Sequence, residues 1–237
     1  MSDRAKPGLV LIPGLLCDAL LWKDQIGALA GQFQCWVPDH TRSETMAGVA
    51  ADVLRDAPFE RFALAGLSMG GYAALEIMRQ AAHRVDRLAL LDTSARADTP
   101  EQRAKRDGLI SLAQRGRFAG VTRSLLSLFI IPSRLEDKEL VHTVKEMAIN
   151  IGRDAFIRQE KAIMSRTDCL PLLPSIACPT LVLCGRQDPI TPLERHEEMA
   201  RGISRATLQV VEECGHLSTL ERPAEVSLAL RAWLSAG

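Results

Sequence analysis

The sequence predicts an α/β fold, with a doubly wound, mostly parallel sheet of six strands and a helical segment inserted after the fourth strand. Short apolar runs recur along the chain, and most are followed by a turn signal and a helix-like stretch. This pattern is typical of a parallel sheet buried on both faces. One long interval, residues 93–178, lacks any such run. At 237 residues and 26.0 kDa, the chain suits one large domain that carries an insertion.

Six apolar runs form the predicted strands. Two segments, residues 21–30 and 45–57, separate the first three runs and are long enough to be crossover helices. Strands and helices therefore alternate, which predicts an open sheet with helices on both faces. The runs lie at residues 9–12, 35–37, 62–67, 88–91, 180–184 and 207–211.

The long interval carries helical patterns instead of strand-like ones. An unstructured loop of that length would be unusual in a compact protein. We therefore predict a core formed by residues 1–92 and 179–237, and an inserted helical subdomain formed by residues 93–178. The helical patterns lie at residues 101–114, 118–129, 135–149 and 154–165.

Composition and charge exclude several classes of protein. Hydrophobic residues make up 47% and charged residues 24% of the chain, and 29 basic side chains balance 29 acidic ones. This composition indicates a folded protein with no electrostatic basis for capturing nucleic acid. No apolar stretch approaches the roughly 18 residues of a membrane span, and the first seven residues leave no room for a signal peptide. We therefore expect a cytoplasmic protein with neither a nucleic-acid nor a membrane partner.

The six cysteines are scattered along the chain without a Cys-x-x-Cys pair. Their spacing matches neither a disulfide framework nor a zinc site. The sequence also has no dinucleotide fingerprint and no P-loop. We therefore expect reduced, packed thiols, no metal and no organic cofactor.

A candidate nucleophile lies in the sequence Gly66-Leu67-Ser68-Met69-Gly70, between the third predicted strand and a helix-like stretch. A sharp strand-to-helix turn strains the backbone at the serine and brings the residues two before and two after it close together, so glycine suits both places. The turn would present the Ser68 hydroxyl at the carboxyl edge of the sheet, over the amino terminus of a helix. Developing negative charge is favoured at that position.

A serine hydroxyl needs a base, and histidine is the usual base at neutral pH. Among five histidines, His216 follows the last predicted strand within Cys214-Gly215-His216-Leu217, which places it at the same edge as Ser68. His40 also follows a strand and is the competing candidate. The other three lie in charged helical sequence or in the insertion, and we expect them on solvated faces. They are His83, His142 and His196.

The base in turn needs a carboxylate that fixes its tautomer. Asp188 follows the fifth predicted strand, so the ends of three strands would bring Ser68, His216 and Asp188 together. Asp92 ends the fourth predicted strand and is the alternative acid. If Asp92 is not the acid, we expect it to cap the turn at residues 93–94, which leads into the insertion.

Acyl transfer also requires hydrogen-bond donors for the oxyanion. The backbone N–H after the nucleophile, that of Met69, is one predicted donor. We expect the loop after the first strand to supply the second donor, which is the backbone N–H of Leu15 or, as the alternative, that of Leu16. Cys17 lies beside this loop but has no accompanying histidine motif, so a packed thiol is favoured over a rival nucleophile.

With the order Ser68, Asp188, His216, the sequence resembles the α/β-hydrolase fold superfamily, specifically its small bacterial carboxylesterase-like members. The resemblance covers nearly the whole chain. The segments that carry it are the oxyanion turn Pro13-Gly14 with Trp22 downstream, the nucleophile elbow at 66–70, the acid loop at 185–188, and the Gly-His pair at 215–216 followed by Glu-Arg-Pro at 221–223. The resemblance implies that residues 93–178 form a cap lining the substrate pocket. It also implies a sheet without the two amino-terminal strands of larger members. Pro13-Gly14 stands where many relatives have His-Gly.

We expect Ser68 to attack an ester or lactone carbonyl of a small molecule and to form an acyl-enzyme. Apolar residues of the insertion could line the pocket or pack the insertion onto the core, and both alternatives stay open. The same fold and triad also serve lactonases and carbon-carbon bond hydrolases of aromatic catabolism, and the fold can act as a non-catalytic receptor. Either a monomer or a homodimer is compatible with the sequence. The candidate pocket residues are Leu16, Leu126, Phe129 and Met164.

Overall fold

A computed structural model describes residues 6–235 of the protein. It contains one sheet of six parallel strands in the order β2-β1-β3-β4-β5-β6, so the predicted fold class is confirmed. Residues 1–5, on which the expectation about a signal peptide depends, lie outside the described residues. The strands are β1 (Gly8–Ile12), β2 (Gln34–Trp36), β3 (Phe62–Leu67), β4 (Val85–Leu91), β5 (Thr180–Gly185) and β6 (Ala206–Val211).

Helices cover both faces of this sheet, and further helices form the insertion. No described helix is both long enough and apolar enough to cross a membrane. The helices are α1 (Lys23–Leu29), α2 (Met46–Asp56), α3 (Met69–Ala81), α4 (Pro100–Gln114), α5 (Arg123–Phe129), α6 (Lys138–Met164), α7 (Leu193–Gly202), α8 (Ser218–Glu221) and α9 (Pro223–Ser235).

Alternation along the strands separates the core into two apolar layers. In β1, Leu9 and Leu11 belong to the layer that contains α9 and much of the insertion, whereas Val10 and Ile12 belong to the layer under α2 and α3. All four side chains are fully buried. Burial on both faces explains why β1 is a continuous apolar run without a polar alternate position.

Between residues 93 and 178 the regular structure consists of helices joined by turns, and no residue lies in a strand. Threonine or aspartate caps begin these helices: Thr99 forms a capping box with Gln102 at α4, and the Thr122 side chain accepts from the Leu125 N–H at α5. Helix α5 therefore begins later than the predicted residue 118. Its approach includes Gly120 at a φ of +60°.

Helix α6 consists of two helical stretches joined at Gly152, where φ is +72° and ψ is 174°. This break corresponds to the gap between the two predicted helices at 135–149 and 154–165. Within the insertion, a largely buried ion-pair network joins this second stretch to α4. It links the carboxylates of Asp98 and Glu160 to the guanidinium groups of Arg106 and Arg166. The division of the chain into a core and a cap stays a prediction.

Candidate active site

Three loops at the carboxyl edge of the sheet bring together Ser68, His216 and Asp188. Ser68 directly follows β3, Asp188 follows β5, and His216 follows β6. Ser68 Oγ lies 2.8 Å from His216 Nε2, and His216 Nδ1 lies 2.7 Å from Asp188 Oδ2. An ionised carboxylate only accepts hydrogen bonds, so Nδ1–H donates to Asp188 and leaves Nε2 free to accept the Ser68 hydroxyl. The array has the connectivity of a nucleophile, a base and an orienting acid.

The strand-to-helix turn holds Ser68 in a strained backbone conformation, with φ at 56° and ψ at −115°. The Ser68 N–H donates to the Leu91 carbonyl at 3.0 Å, which ties the turn to β4. A Cβ atom at Gly66 would overlap the Gly70 carbonyl, and one at Gly70 would overlap the Ile12 carbonyl. Glycine is therefore required on both sides of Ser68 for steric reasons, as the sequence pattern indicated.

Four hydrogen bonds fix the Asp188 carboxylate. Oδ1 accepts from the backbone N–H groups of Ile190 at 2.8 Å and Thr191 at 3.1 Å, and Oδ2 accepts from the Thr191 hydroxyl at 2.6 Å in addition to His216. Burial alone would raise the pKa of Asp188, but the His216 charge and these hydrogen bonds outweigh burial and lower it. Asp188 is therefore ionised at neutral pH.

His216 is buried, and contacts from the insertion hold its loop. The Phe129 carbonyl accepts from the N–H groups of His216 and Leu217, both at 3.0 Å, and the Phe129 ring stacks on the imidazole with centroids 6.1 Å apart. Glu221 is also buried, and its two carboxylate oxygens accept from the Gly215 N–H at 2.7 Å and the Ile131 N–H at 2.8 Å. Helix α5 and the histidine loop thus form one hydrogen-bonded unit.

Asp92, the alternative acid, does not reach the imidazole. Its Oδ1 accepts from the Gly185 N–H at 2.9 Å, and its Oδ2 accepts from the Ser218 hydroxyl. Its expected role as a cap for residues 93–94 is therefore wrong, because the carboxyl group links β4 to the acid loop and the histidine loop instead. Burial and the neighbouring Asp188 charge raise the pKa of Asp92 to about 8.

The other four histidines form no hydrogen bond with the Ser68 hydroxyl, which bonds to His216. His83 and His142 are exposed, as predicted. The prediction for His196 was wrong, because its side chain is fully buried and its Nε2 accepts from the Thr93 N–H at 3.0 Å. Burial lowers the pKa of His196 to about 4. His40 is also buried, and its Nε2 lies 3.2 Å from the Gly14 carbonyl oxygen and 3.0 Å from Gln159 Nε2.

The loop after β1 packs directly against the nucleophile. A Cβ atom at Gly14 would lie 3.3 Å from Ser68 Cβ. The Cys17 N–H donates to the Gly14 carbonyl at 3.2 Å, which closes a turn that includes Leu15 and Leu16. The Leu16 N–H, the alternative oxyanion donor, donates instead to Gln159 Oε1 at 3.1 Å. Leu15 therefore remains the candidate from this loop.

Of the four candidate pocket residues, three lie together. Leu16, Leu126 and Phe129 are buried in the same apolar layer, where they help pack the insertion onto the core. Met164 is half-buried and belongs to neither apolar layer. The Cys17 thiol is buried, and burial raises its pKa to about 12, which fits a packed thiol.

Two residues near the site were absent from the sequence prediction. Glu221 lies in the segment 221–223, which carried part of the family resemblance. That motif could therefore have identified Glu221 as a residue near the site. Gln159 lies in the charged stretch Arg158-Gln159-Glu160-Lys161. Such a stretch is typical of a solvated helix face, so nothing in the local sequence indicated that this glutamine is buried.

Comparisons with known proteins identify the family. The chain matches the alpha/beta hydrolase family over residues 9–229. It is 27% identical to pimeloyl-(acyl-carrier protein) methyl ester esterase of Nitrosomonas europaea over 92% of this chain and 91% of that protein. A thermophilic esterase from Thermogutta terrifontis, solved with malate bound, has a TM-score of 0.88 and 29% identity over 96% of this chain and 89% of its own.

The enol-lactonase from Burkholderia xenovorans LB400 has a similar fold, with a TM-score of 0.87 and 23% identity over 100% of this chain and 94% of its own. The names of these proteins include two esterases and a lactonase, so the comparisons support hydrolase activity without specifying the bond that is cleaved. The match to the family over nearly the whole sequence and the sheet of six parallel strands lead to one conclusion: the chain belongs to the alpha/beta hydrolase family.

Proposed function

We propose that the protein is a serine hydrolase that cleaves carboxylic esters of small molecules through an acyl-enzyme on Ser68. The observation that carries this proposal is the continuous hydrogen-bonded array from Ser68 through His216 to Asp188. The similarity to two esterases, at 27% and 29% identity, supports an ester as the substrate.

In the proposed reaction, Ser68 Oγ attacks the ester carbonyl carbon while its proton moves to His216 Nε2. The carbonyl electrons move to oxygen, and the N–H groups of Met69 and Leu15 stabilise the oxyanion that forms. Collapse of this intermediate expels the alcohol, which takes the proton from His216. Water then adds to the acyl-enzyme by the same steps, with His216 as base, and releases the acid and free Ser68.

In this proposal, Asp188 has two roles. Its carboxylate holds His216 in the tautomer whose Nε2 lacks a proton, and it stabilises the imidazolium that forms during the attack. We further propose that residues 93–178 act as a cap over Ser68, with Leu126 and Phe129 at the boundary between cap and core. Those apolar side chains suit a short or medium acyl chain.

The first test is intact-mass analysis after treatment with a fluorophosphonate, with Ser68→Ala as the control and peptide mapping of the adduct. We expect one adduct on Ser68 in the wild type and no adduct in the variant, because only an activated serine reacts at a useful rate. If the folded wild-type protein forms no adduct, the nucleophile is not activated. A non-catalytic receptor then becomes the better interpretation.

A substrate panel separates the ester hydrolase from a lactonase or a carbon-carbon bond hydrolase. An aryl ester, an enol-lactone and a diketone should be compared by kcat/KM, with Ser68→Ala as a common blank. We expect the aryl ester to be turned over fastest. A higher kcat/KM for the lactone or the diketone would replace the proposed substrate class while leaving the triad in place.

The rate should depend on pH through His216. Burial alone would lower the pKa of His216, but the charge of Asp188, its hydrogen bond and the nearby Asp92 and Glu221 outweigh burial and raise the pKa above its usual value near 6.5. Because His216 must be unprotonated to act as base, we expect kcat/KM for an aryl ester to fall tenfold per pH unit below a midpoint above pH 6.5. A flat profile between pH 5 and 8 would contradict this role for His216.

A further inference from the structure

Gln159 is a fully buried side chain that connects the insertion to the loop beside Ser68. It lies on the second stretch of α6, with no exposed surface. Its Oε1 accepts from the Leu16 N–H at 3.1 Å, and its Nε2 lies 3.0 Å from His40 Nε2. Both polar atoms of this amide therefore lie within hydrogen-bonding distance of a core residue. A buried amide of this kind holds the two segments that it joins in one relative orientation.

The Leu16 N–H determines which way the Gln159 amide points. An N–H donor requires an oxygen opposite it, so Oε1 faces Leu16 and the NH₂ group faces His40. A neutral His40 imidazole can use Nε2 either to accept from this NH₂ group at 3.0 Å or to donate to the Gly14 carbonyl at 3.2 Å, but not both. Burial favours the neutral state because it lowers the pKa of His40. The bond from the Leu16 N–H to the Gln159 amide oxygen therefore has a fixed direction, and it joins the insertion to the loop after β1.

The turn that Gln159 contacts has a strained centre. A hydrogen bond from the fourth residue to the first, with a positive φ at the third, is the pattern of a type II turn. Here the third residue is Leu16, with a φ of 60°, at a place where glycine is usual. Rotation of the peptide between Leu15 and Leu16 would relieve that strain. The bond to Gln159 opposes the rotation because it holds the Leu16 N–H.

We infer that Gln159 is a positioning residue, through which the insertion holds the turn 14–17 in the conformation that directs the Leu15 N–H toward the oxyanion. This inference rests on the proposed function. The Leu15 N–H belongs to the preceding peptide, between Gly14 and Leu15, and Gly14 packs against Ser68. We expect a rotation of the Leu15–Leu16 peptide to change the backbone at Leu15 and so to shift the donor that must meet the substrate oxygen. Gln159 bonds to neither Ser68 nor His216, so in this inference it acts through the turn.

The test compares Gln159→Met with Arg158→Met. The neighbouring Arg158 also joins α6 to the core, through a 2.7 Å bond from its Nε to the Thr41 carbonyl, but it does not contact the turn 14–17. Both changes remove polar contacts between the insertion and the core from adjacent helical positions. Arg158→Met removes the bond to Thr41, and Gln159→Met removes the bond to Leu16 and the contact with His40. Gln159→Asn is the second variant. It keeps a buried amide at this position but is shorter by one methylene, which withdraws the amide oxygen from the Leu16 N–H.

We expect both Gln159 variants to lower kcat for an aryl ester about 10- to 100-fold, with KM changed less than about threefold. Loss of one oxyanion donor costs about 10²- to 10³-fold in kcat, and a displaced donor costs part of that. The rate of fluorophosphonate labelling should fall in parallel, while the acid limb of the pH profile stays where it is. Arg158→Met should keep the wild-type kcat.

Two results would overturn the inference. If the Gln159 variants keep kcat and the labelling rate within about twofold of Arg158→Met, Gln159 only stabilises the fold. If KM rises while kcat is unchanged, Gln159 contributes to substrate binding instead. Counting active sites from the labelled fraction corrects each rate for unfolded protein. Failure of the wild type itself to label would instead contradict the proposed function.

Discussion

Replacing Asp188 with asparagine is expected to lower kcat for an aryl ester by about four orders of magnitude, as loss of the acid in a serine triad generally does. The local contacts give the reason. Two backbone N–H groups, those of Ile190 and Thr191, face Oδ1, so the amide oxygen of asparagine stays there. The NH₂ group then occupies the Oδ2 position and donates to His216 Nδ1. His216 is forced into the tautomer with a proton on Nε2, which cannot accept the proton of Ser68.

Asp92→Asn is the matched control, because it makes the same change in a second buried aspartate near the site. The asparagine oxygen can still accept from the Gly185 N–H, and its NH₂ group can donate to the Ser218 oxygen. Burial and the neighbouring Asp188 charge raise the pKa of Asp92, whereas the pKa of Asp188 is lowered, so the substitution removes less charge at Asp92 than at Asp188. We expect Asp92→Asn to lower kcat less than about tenfold.

The measurement is kcat for both variants at pH 7, with thermal unfolding to confirm that each is folded. Equal losses in the two variants would mean that the two carboxyl groups act as a unit. A larger loss in Asp92→Asn would transfer the role of the acid to Asp92 and contradict the assignment of Asp188. Because Asp188 bonds to His216 Nδ1 and Asp92 bonds only to Gly185 and Ser218, we expect a clear separation between the two variants.

The sequence was sufficient for the arrangement of Ser68, Asp188 and His216, because a parallel sheet restricts where strands end. Each residue follows a predicted strand, and the carboxyl ends of parallel strands meet at one edge. The glycines at 66 and 70 had a steric reason that could be predicted from the turn alone. Predicting these features required only local patterns and the topology that they imply.

The contacts between the insertion and the core could not be predicted in the same way. Gln159 bonds to Leu16 across 143 positions of sequence, and the helical phase of α6 decides whether that side chain faces the core. The charged neighbours of Gln159 suggested a solvated face. His196 was assigned to a solvated face for the same reason. Its spacing of three residues from Met199, which is also buried, is the signal that could have corrected the assignment.

Replacing Gly70 with alanine is expected to destabilise the protein by about 3 kcal/mol or more. Gly70 lies in the first turn of α3, and a Cβ atom there would overlap the Ile12 carbonyl and lie 2.8 Å from the Pro13 carbonyl oxygen. Both obstacles are backbone atoms at the end of β1, so neither can move aside as a flexible side chain would. In an unobstructed helix the same change would be favourable, because glycine lowers helix stability by about 1 kcal/mol relative to alanine.

Gly108→Ala supplies that unobstructed comparison. Gly108 is an exposed residue inside α4, and a Cβ atom there meets nothing within 4 Å. We expect Gly108→Ala to raise the free energy of unfolding in urea by up to about 1 kcal/mol, and Gly70→Ala to lower it. If Gly70→Ala is as stable as the wild type, the nucleophile turn does not approach β1 as closely as described. A folded Gly70→Ala variant should also label slowly with the fluorophosphonate, because the new methyl group pushes the loop after β1 away from Ser68.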